Sequence, residues 1–132
     1  MTEAARDLWN RACDALCVAR HDLAVSPDAT ASRAYYAAFY AASALFALEG
    51  KTFAKHSAVE AAVHRDLVQP GTWPTDLGRG YSRLAQLRAR SDYGGSRHVS
   101  PGEAEEAVRI AADILRAVAG NHPHEFTQPQ EA

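Results

Sequence analysis

The fold of this chain is decided by residues 32–46, which read SRAYYAAFYAASALF. Alanine and aromatic residues fill most of these positions, so a helix formed here is apolar almost all round. A helix of that kind lies at the centre of a fold or is shared with a second subunit. Ser26 and Pro27 provide a typical helix start before it, and Gly50 provides a typical helix stop after it.

The same reasoning extends to the rest of the chain. The helical spacing of apolar residues predicts four further helices, at about 3–24, 56–68, 75–93 and 100–120. The last of these begins at residues 100–103, SPGE, which match a capping box with proline at the first helical position. Short connections favour antiparallel neighbours, so we predict an all-α fold. Its form is an antiparallel four-helix up-and-down bundle with one additional short helix, in a single domain over residues 1–120 with a flexible tail at 121–132.

Composition excludes several classes of protein. The 132 residues, 47% hydrophobic and 23% charged, suit one globular domain and exclude a wholly disordered chain. A net charge of −2 gives no overall basic signature, so a nucleic-acid partner needs a local basic patch. Cys13 and Cys17 are too few and too close for a disulfide framework. Without a secretory signal or a membrane-spanning run, we expect a cytoplasmic protein with no membrane partner.

A local basic strip lies in residues 79–98. It contains one acid, Asp92, and five arginines, which are Arg79, Arg83, Arg88, Arg90 and Arg97. Tyrosines lie between the arginines, and this combination suits phosphate contact and base stacking. For Arg79, Arg83 and Arg90, a solvated helix face is the favoured interpretation.

Arg88 differs from the other arginines because it follows Leu77, Tyr81 and Leu84 on the apolar stripe of its helix. An arginine on that face needs a partner, since an unpaired buried charge is costly. Asp92, one turn later, can provide it. The pair either fixes the helix end or holds the guanidinium toward a phosphate, and the sequence leaves both open.

Arg33, Tyr36 and His56 are further candidates for binding a substrate. One of Tyr35 and Tyr36 must face inward, where its hydroxyl needs a partner that Arg33 or Arg88 can supply. His56 can act as a general base or contact a phosphate, and an exposed first-turn histidine is the simpler interpretation. No metal site and no cofactor is expected, because the chain contains no zinc-ligand motif and no glycine-rich phosphate loop.

Three segments of the chain carry a family resemblance. They are residues 33–46, beginning RAYYAAF; residues 55–59, KHSAV; and residues 87–93, LRARSDY. In this order and spacing they resemble the HEPN superfamily (higher eukaryotes and prokaryotes nucleotide-binding domain), in its small stand-alone prokaryotic branch. The resemblance implies a dimerising helical bundle. In many members it also implies a metal-independent endoribonuclease, often a toxin paired with a small nucleotidyltransferase antitoxin.

The resemblance also assigns roles to residues. An arginine and a nearby histidine act on the RNA phosphodiester in those relatives, and Arg88 matches the arginine. Tyr93 stands in place of the histidine, and His98 lies beyond the two following glycines. We expect Arg88, Asp92 and Tyr93 to be catalytic, with Arg33, Tyr36, His56 and His98 binding substrate. The alternative is a non-catalytic module that binds a nucleotide or a protein.

Overall fold

The computed structural model describes residues 2–93, 95 and 97–130, and for Tyr93 the backbone alone. Five α-helices follow one another: α1 (Glu3–Asp22), α2 (Pro27–Leu48), α3 (His56–Ala62), α4 (Thr75–Tyr93) and α5 (Pro101–Asn121). The described residues form no strand, which confirms the predicted all-α bundle with one short helix. None of these helices has both the length and the hydropathy needed to cross a membrane.

Local chemistry fixes where the helices begin, as the sequence predicts. The Ser26 hydroxyl accepts a hydrogen bond from the Ala29 N–H at 3.1 Å, so it caps α2 ahead of Pro27. At α5, the Ser100 hydroxyl accepts from the Glu103 N–H, and the Glu103 carboxylate accepts from the Ser100 N–H. Both halves of the capping box are therefore present, and each satisfies an N–H that the helix itself leaves unpaired.

Helix α2 lies at the centre of the bundle and contacts each of the other four helices. Its fully buried positions are mostly alanine: Ala31, Ala34, Ala37, Ala38, Ala41, Ala42 and Ala44. Side chains this small let the neighbouring helices approach closely. Of the two positions predicted for this apolar helix, the structure shows the central one.

The third predicted helix changes its hydrogen-bonding pattern part-way. Residues 56–62 form α3, and Val63–Val68 continue as a π-helix, so the Gln69 N–H donates to the His64 carbonyl, five residues back. Gly78 of α4 approaches this wider turn closely. A Cβ at Gly78 would lie 2.6 Å from Val68 Cγ2 and 3.3 Å from the His64 ring.

Ion pairs between α4 and α5 account for part of the basic strip. Arg83 contacts the carboxylates of Glu103 and Glu106, and Arg90 lies 2.7 Å from Glu103. The Arg90 hydrogen bond, followed by that of the Ser100 N–H, lowers the pKa of Glu103 to about 2. These two arginines hold one helix on another, so they do not form a free phosphate-binding surface.

The residues after α5 lie against α1. Phe126 is 2% exposed, and its ring stacks on Trp9 with ring centres 4.8 Å apart. We call residues 122–130 the C-terminal strap. The sequence predicts a flexible tail here, and the structure places the strap along a helix from the other end of the chain.

Candidate functional site

Arg88 lies on the inward side of α4, as its spacing predicts. Its neighbours on that side, Tyr81, Leu84 and Leu87, are fully buried, whereas the Arg88 side chain remains 20% exposed. The Arg88 side chain therefore starts on the core side of α4 and reaches the edge of the bundle. A long side chain can bury its stem in this way and still present its charge to solvent.

Three groups hold the guanidinium of Arg88. Its Nε lies 3.2 Å from the Asp92 carboxylate, and an outer nitrogen donates to the Tyr36 hydroxyl at 3.4 Å. The guanidinium carbon lies 5.1 Å from the ring centre of Tyr35 and 5.4 Å from that of Tyr36. The predicted ion pair with Asp92 is present. The buried Nε makes no well-aligned hydrogen bond to Asp92, so donor capacity remains on Arg88.

The two adjacent tyrosines of α2 divide between core and site. Tyr35 is 2% exposed and lies edge-to-face with Tyr81, whereas Tyr36 is partly exposed beside Arg88. Burial raises the pKa of both Tyr35 and Tyr81, so both phenols stay protonated. The Tyr81 hydroxyl is buried and has no well-aligned hydrogen-bond partner. Tyr36 is therefore the tyrosine of the pair available to a ligand.

His56, the first residue of α3, lies against the same two tyrosine rings as Arg88. Its ring centre lies 4.5 Å from that of Phe39 and 5.6 Å from that of Tyr36. Burial, and secondly the positive charge of Arg88, lowers the pKa of His56 below its usual value near 6.5. The imidazole is therefore neutral at pH 7 and able to accept a proton.

Arg33 is the last member of a group of four rings and two arginines that we call the aromatic cluster. The rings are Tyr35, Tyr36, Phe39 and His56, and the arginines are Arg33 and Arg88. The Arg33 guanidinium carbon lies 4.8 Å from the Tyr36 ring centre. Tyr36 thus contacts both arginines, and an anion that reaches its exposed side meets two positive charges.

One predicted site residue, His98, is not brought to this cluster. His98 lies at the first turn of α2, where its Nδ1 is 2.7 Å from the Asp28 carboxylate. The same carboxylate accepts a hydrogen bond from the Val99 N–H at 2.8 Å, which is the main reason why the pKa of Asp28 is lowered. Tyr93 ends α4, and its side chain lies outside the described residues.

Sequence reasoning missed Phe39 and a polar group between α3 and α4. Phe39 follows Tyr36 by three residues, the spacing that places both on one side of α2. In the polar group, the Ser82 hydroxyl donates to Glu60 at 2.7 Å and lies 2.8 Å from the His64 ring nitrogen. The spacing of Glu60 and His64, four residues apart, is the sequence signal for this polar group.

Within the described residues, no group of three or more His, Cys, Asp or Glu is placed to hold a metal ion.

Comparison with known proteins places this bundle and its site in a family. The family model described as HEPN domain matches residues 5–121. The chain belongs to the HEPN family. That match covers α1 from its third residue onward, α2 to α5 and all of the aromatic cluster, and it ends where the C-terminal strap begins.

Relatives and a solved structure agree with this assignment. The HEPN chain is 37% identical over 87 residues to a UPF0332 protein of Thermotoga maritima, which covers 66% of each chain. It is 31% identical over 119 residues to a UPF0332 protein of Gloeobacter violaceus, covering 88% of this chain and 94% of the relative. The crystal structure of TT1696 from Thermus thermophilus is similar with a TM-score of 0.78 and 25% identity, covering 90% and 98% of the two chains.

Proposed function

We propose that this HEPN protein is an RNA-targeting, toxin-like component that cleaves RNA without a metal ion and acts as a homodimer. The observation that carries the proposal is the arrangement of Arg88 and His56 around Tyr36. The cluster carries both a positioned guanidinium and an imidazole that is neutral at pH 7. These are the two groups that metal-free cleavage of a phosphodiester requires.

The chemistry follows from the roles of these groups. Once a base removes its proton, the neighbouring 2′-hydroxyl of RNA attacks the phosphorus and forms a cyclic phosphate. The bond to the 5′-oxygen of the next nucleotide breaks, and that oxygen leaves with a proton taken from water. Negative charge then builds on the phosphoryl oxygens, where the planar guanidinium of Arg88 binds it well. Asp92 orients Arg88, and His56 accepts the proton. Arg33 and Tyr36 contact the backbone or a base, and Tyr93 donates a hydrogen bond to the substrate.

A homodimer is supported by the surface of α2 next to the site. Tyr36, Phe39 and Tyr40 are partly exposed on this largely buried helix, and their ring centres lie within 6.2 Å of one another. Exposed aromatic groups of this kind mark interaction surfaces. We propose that two copies meet here and bring two arginines to one cleft. The resemblance adds a small nucleotidyltransferase as the antitoxin partner.

A second candidate function is a non-catalytic module that binds a nucleotide or a protein. Its support is the pairing of Arg88 with Asp92, which already neutralises the cation, together with Tyr93 in place of the family histidine. The aromatic cluster suits stacking of a single base without any chemistry.

Incubation of the protein with mixed RNA in EDTA tests the main proposal. We expect fragments with cyclic-phosphate ends from the wild type and from the control Arg79→Ala, whose exposed side chain lies on the same helix. Arg88→Ala and His56→Gln should each lower the cleavage rate by about 100-fold or more. Intact RNA with folded wild-type protein overturns the nuclease proposal.

Thermal unfolding separates the second candidate from the first. A ligand that binds only the folded state raises the melting temperature. If ATP raises it in the wild type but not in Arg88→Ala, and RNA stays intact, the binding module is the correct function. No response to ATP or RNA excludes both nucleotide-directed functions.

A further inference from the structure

The C-terminal strap occupies a groove along α1, on a part of the molecule that the proposed function does not use. After α5, the Glu125 and Phe126 N–H groups both donate to the His122 carbonyl and turn the chain back. The strap then passes Trp9 first and Arg20 later, so it runs in the same direction as α1. Its only side chain stacked on an α1 ring is Phe126.

The groove binds the strap largely through main-chain atoms. The Trp9 indole N–H donates to the Thr127 carbonyl at 3.1 Å, and the Arg20 guanidinium donates to the Gln130 carbonyl at 2.6 Å. Only two strap side chains beyond the turn are buried, those of Phe126 and Pro129. Any extended segment with an aromatic residue and a proline three positions later offers the same groups.

The strap does not fill the groove. A cavity of about 610 Å³ remains between strap and helix, lined on the α1 side by Asn10, Cys13, Asp14, Leu16, Cys17 and Arg20. The space is open to solvent, and its size is in the range of ligand pockets. The segment is thus held at separate points and leaves room for larger side chains.

The family comparison separates the groove from its occupant. The HEPN match begins at residue 5 and ends at 121, so the groove lies inside the matched domain and the strap lies outside it. The α1 side of the groove therefore belongs to the matched domain, and the strap that covers it follows the matched residues.

We propose that the α1 groove is a docking site for an extended segment of a partner protein, carrying an aromatic residue followed three positions later by proline. The strap is a tethered competitor for that site. Because the strap is tethered, its effective concentration at the groove is in the millimolar range. A partner segment must therefore bind the groove tightly enough to displace the strap. Releasing the strap opens the site.

Fluorescence polarisation with a labelled synthetic peptide of residues 122–130 tests the proposal. The full-length variant Phe126→Ala, whose strap has lost its anchor, should bind the peptide at least about tenfold more tightly than the wild type. A peptide with alanine in place of Phe126 or of Pro129 should bind at least about tenfold more weakly. The double variant Trp9→Ala, Phe126→Ala is the matched control and should not bind.

A second variant guards against a folding defect in Phe126→Ala. Pro129→Ala removes the second buried side chain of the strap and leaves the groove unchanged, and it too should show peptide binding above that of the wild type. If both variants keep wild-type circular dichroism and neither binds the peptide, the docking site is overturned. A wild-type dimer that Phe126→Ala dissociates would overturn the assignment to a partner protein, because the occupant would then be a second copy.

Discussion

At the scale of single residues, Arg88 and His56 influence each other through charge and position. Arg88 lies among buried neighbours with one carboxylate, one hydroxyl and two aromatic rings around it. A cation in such a place disfavours a second positive charge nearby, and His56 is the group that responds. The positioned cation thus helps to keep the proposed base unprotonated.

The pKa of His56 is the most direct measurement of this coupling. An NMR titration of its ring protons should give a value below 6.5, and Arg88→Met should raise the value only in part, because burial is the larger cause. Arg79→Met on the same helix should leave it unchanged. A His56 pKa at or above 6.5 in the wild type would contradict the proposed role.

The same shift affects stability. The unfolded chain binds the His56 proton more readily than the folded chain, so the His56 contribution to the free energy of unfolding is complete above about pH 6.5. It falls as the pH drops from there to the lowered pKa of the folded state.

At the scale of elements, the π-helical turn and α4 fit together because Gly78 has no side chain. Gly78→Ala places a Cβ against Val68, so we expect the free energy of unfolding to drop by about 1–3 kcal/mol. A Cβ at Gly102 in α5 has no atom within 4 Å. Gly102→Ala should therefore leave the free energy of unfolding unchanged or raise it by up to about 1 kcal/mol. Urea unfolding of both variants measures the difference, and equal midpoints would contradict the close approach.

At the scale of the whole molecule, acid stability depends on the ion pairs that join α4 to α5. Glu103 has a folded pKa of about 2, below the 4.5 of a free carboxyl, so its contribution is complete above pH 4.5 and is lost between 4.5 and about 2. Glu103→Gln keeps an acceptor for the capping box but removes the charge. Its urea midpoint should be lower than that of the wild type at pH 7, and the gap should narrow as the pH falls below 4.5. Glu105 is exposed on the same helix, so Glu105→Gln is the control. Its free energy of unfolding should match that of the wild type within about 0.5 kcal/mol at every pH.

The sequence predicts most of this fold because local signals determine it. Capping residues such as Ser26 and Ser100 are local, and so is the phase that brings Arg88 to the core side beside Asp92. The features that the sequence does not predict depend on contacts between residues far apart in the chain. They are the stacking of Phe126 on Trp9, the ion pair of Arg90 with Glu103, and the contact of His98 with Asp28. The π-helical turn has no proline or glycine to signal it, and its partner Gly78 is 10 residues beyond its end.

One helix both builds the core of this molecule and lines its site. Helix α2 contacts every other helix, most of its alanines are buried, and Tyr35, Tyr36 and Phe39 belong to the same element. Inherited changes along α2 therefore alter folding and recognition together, and few of them can persist.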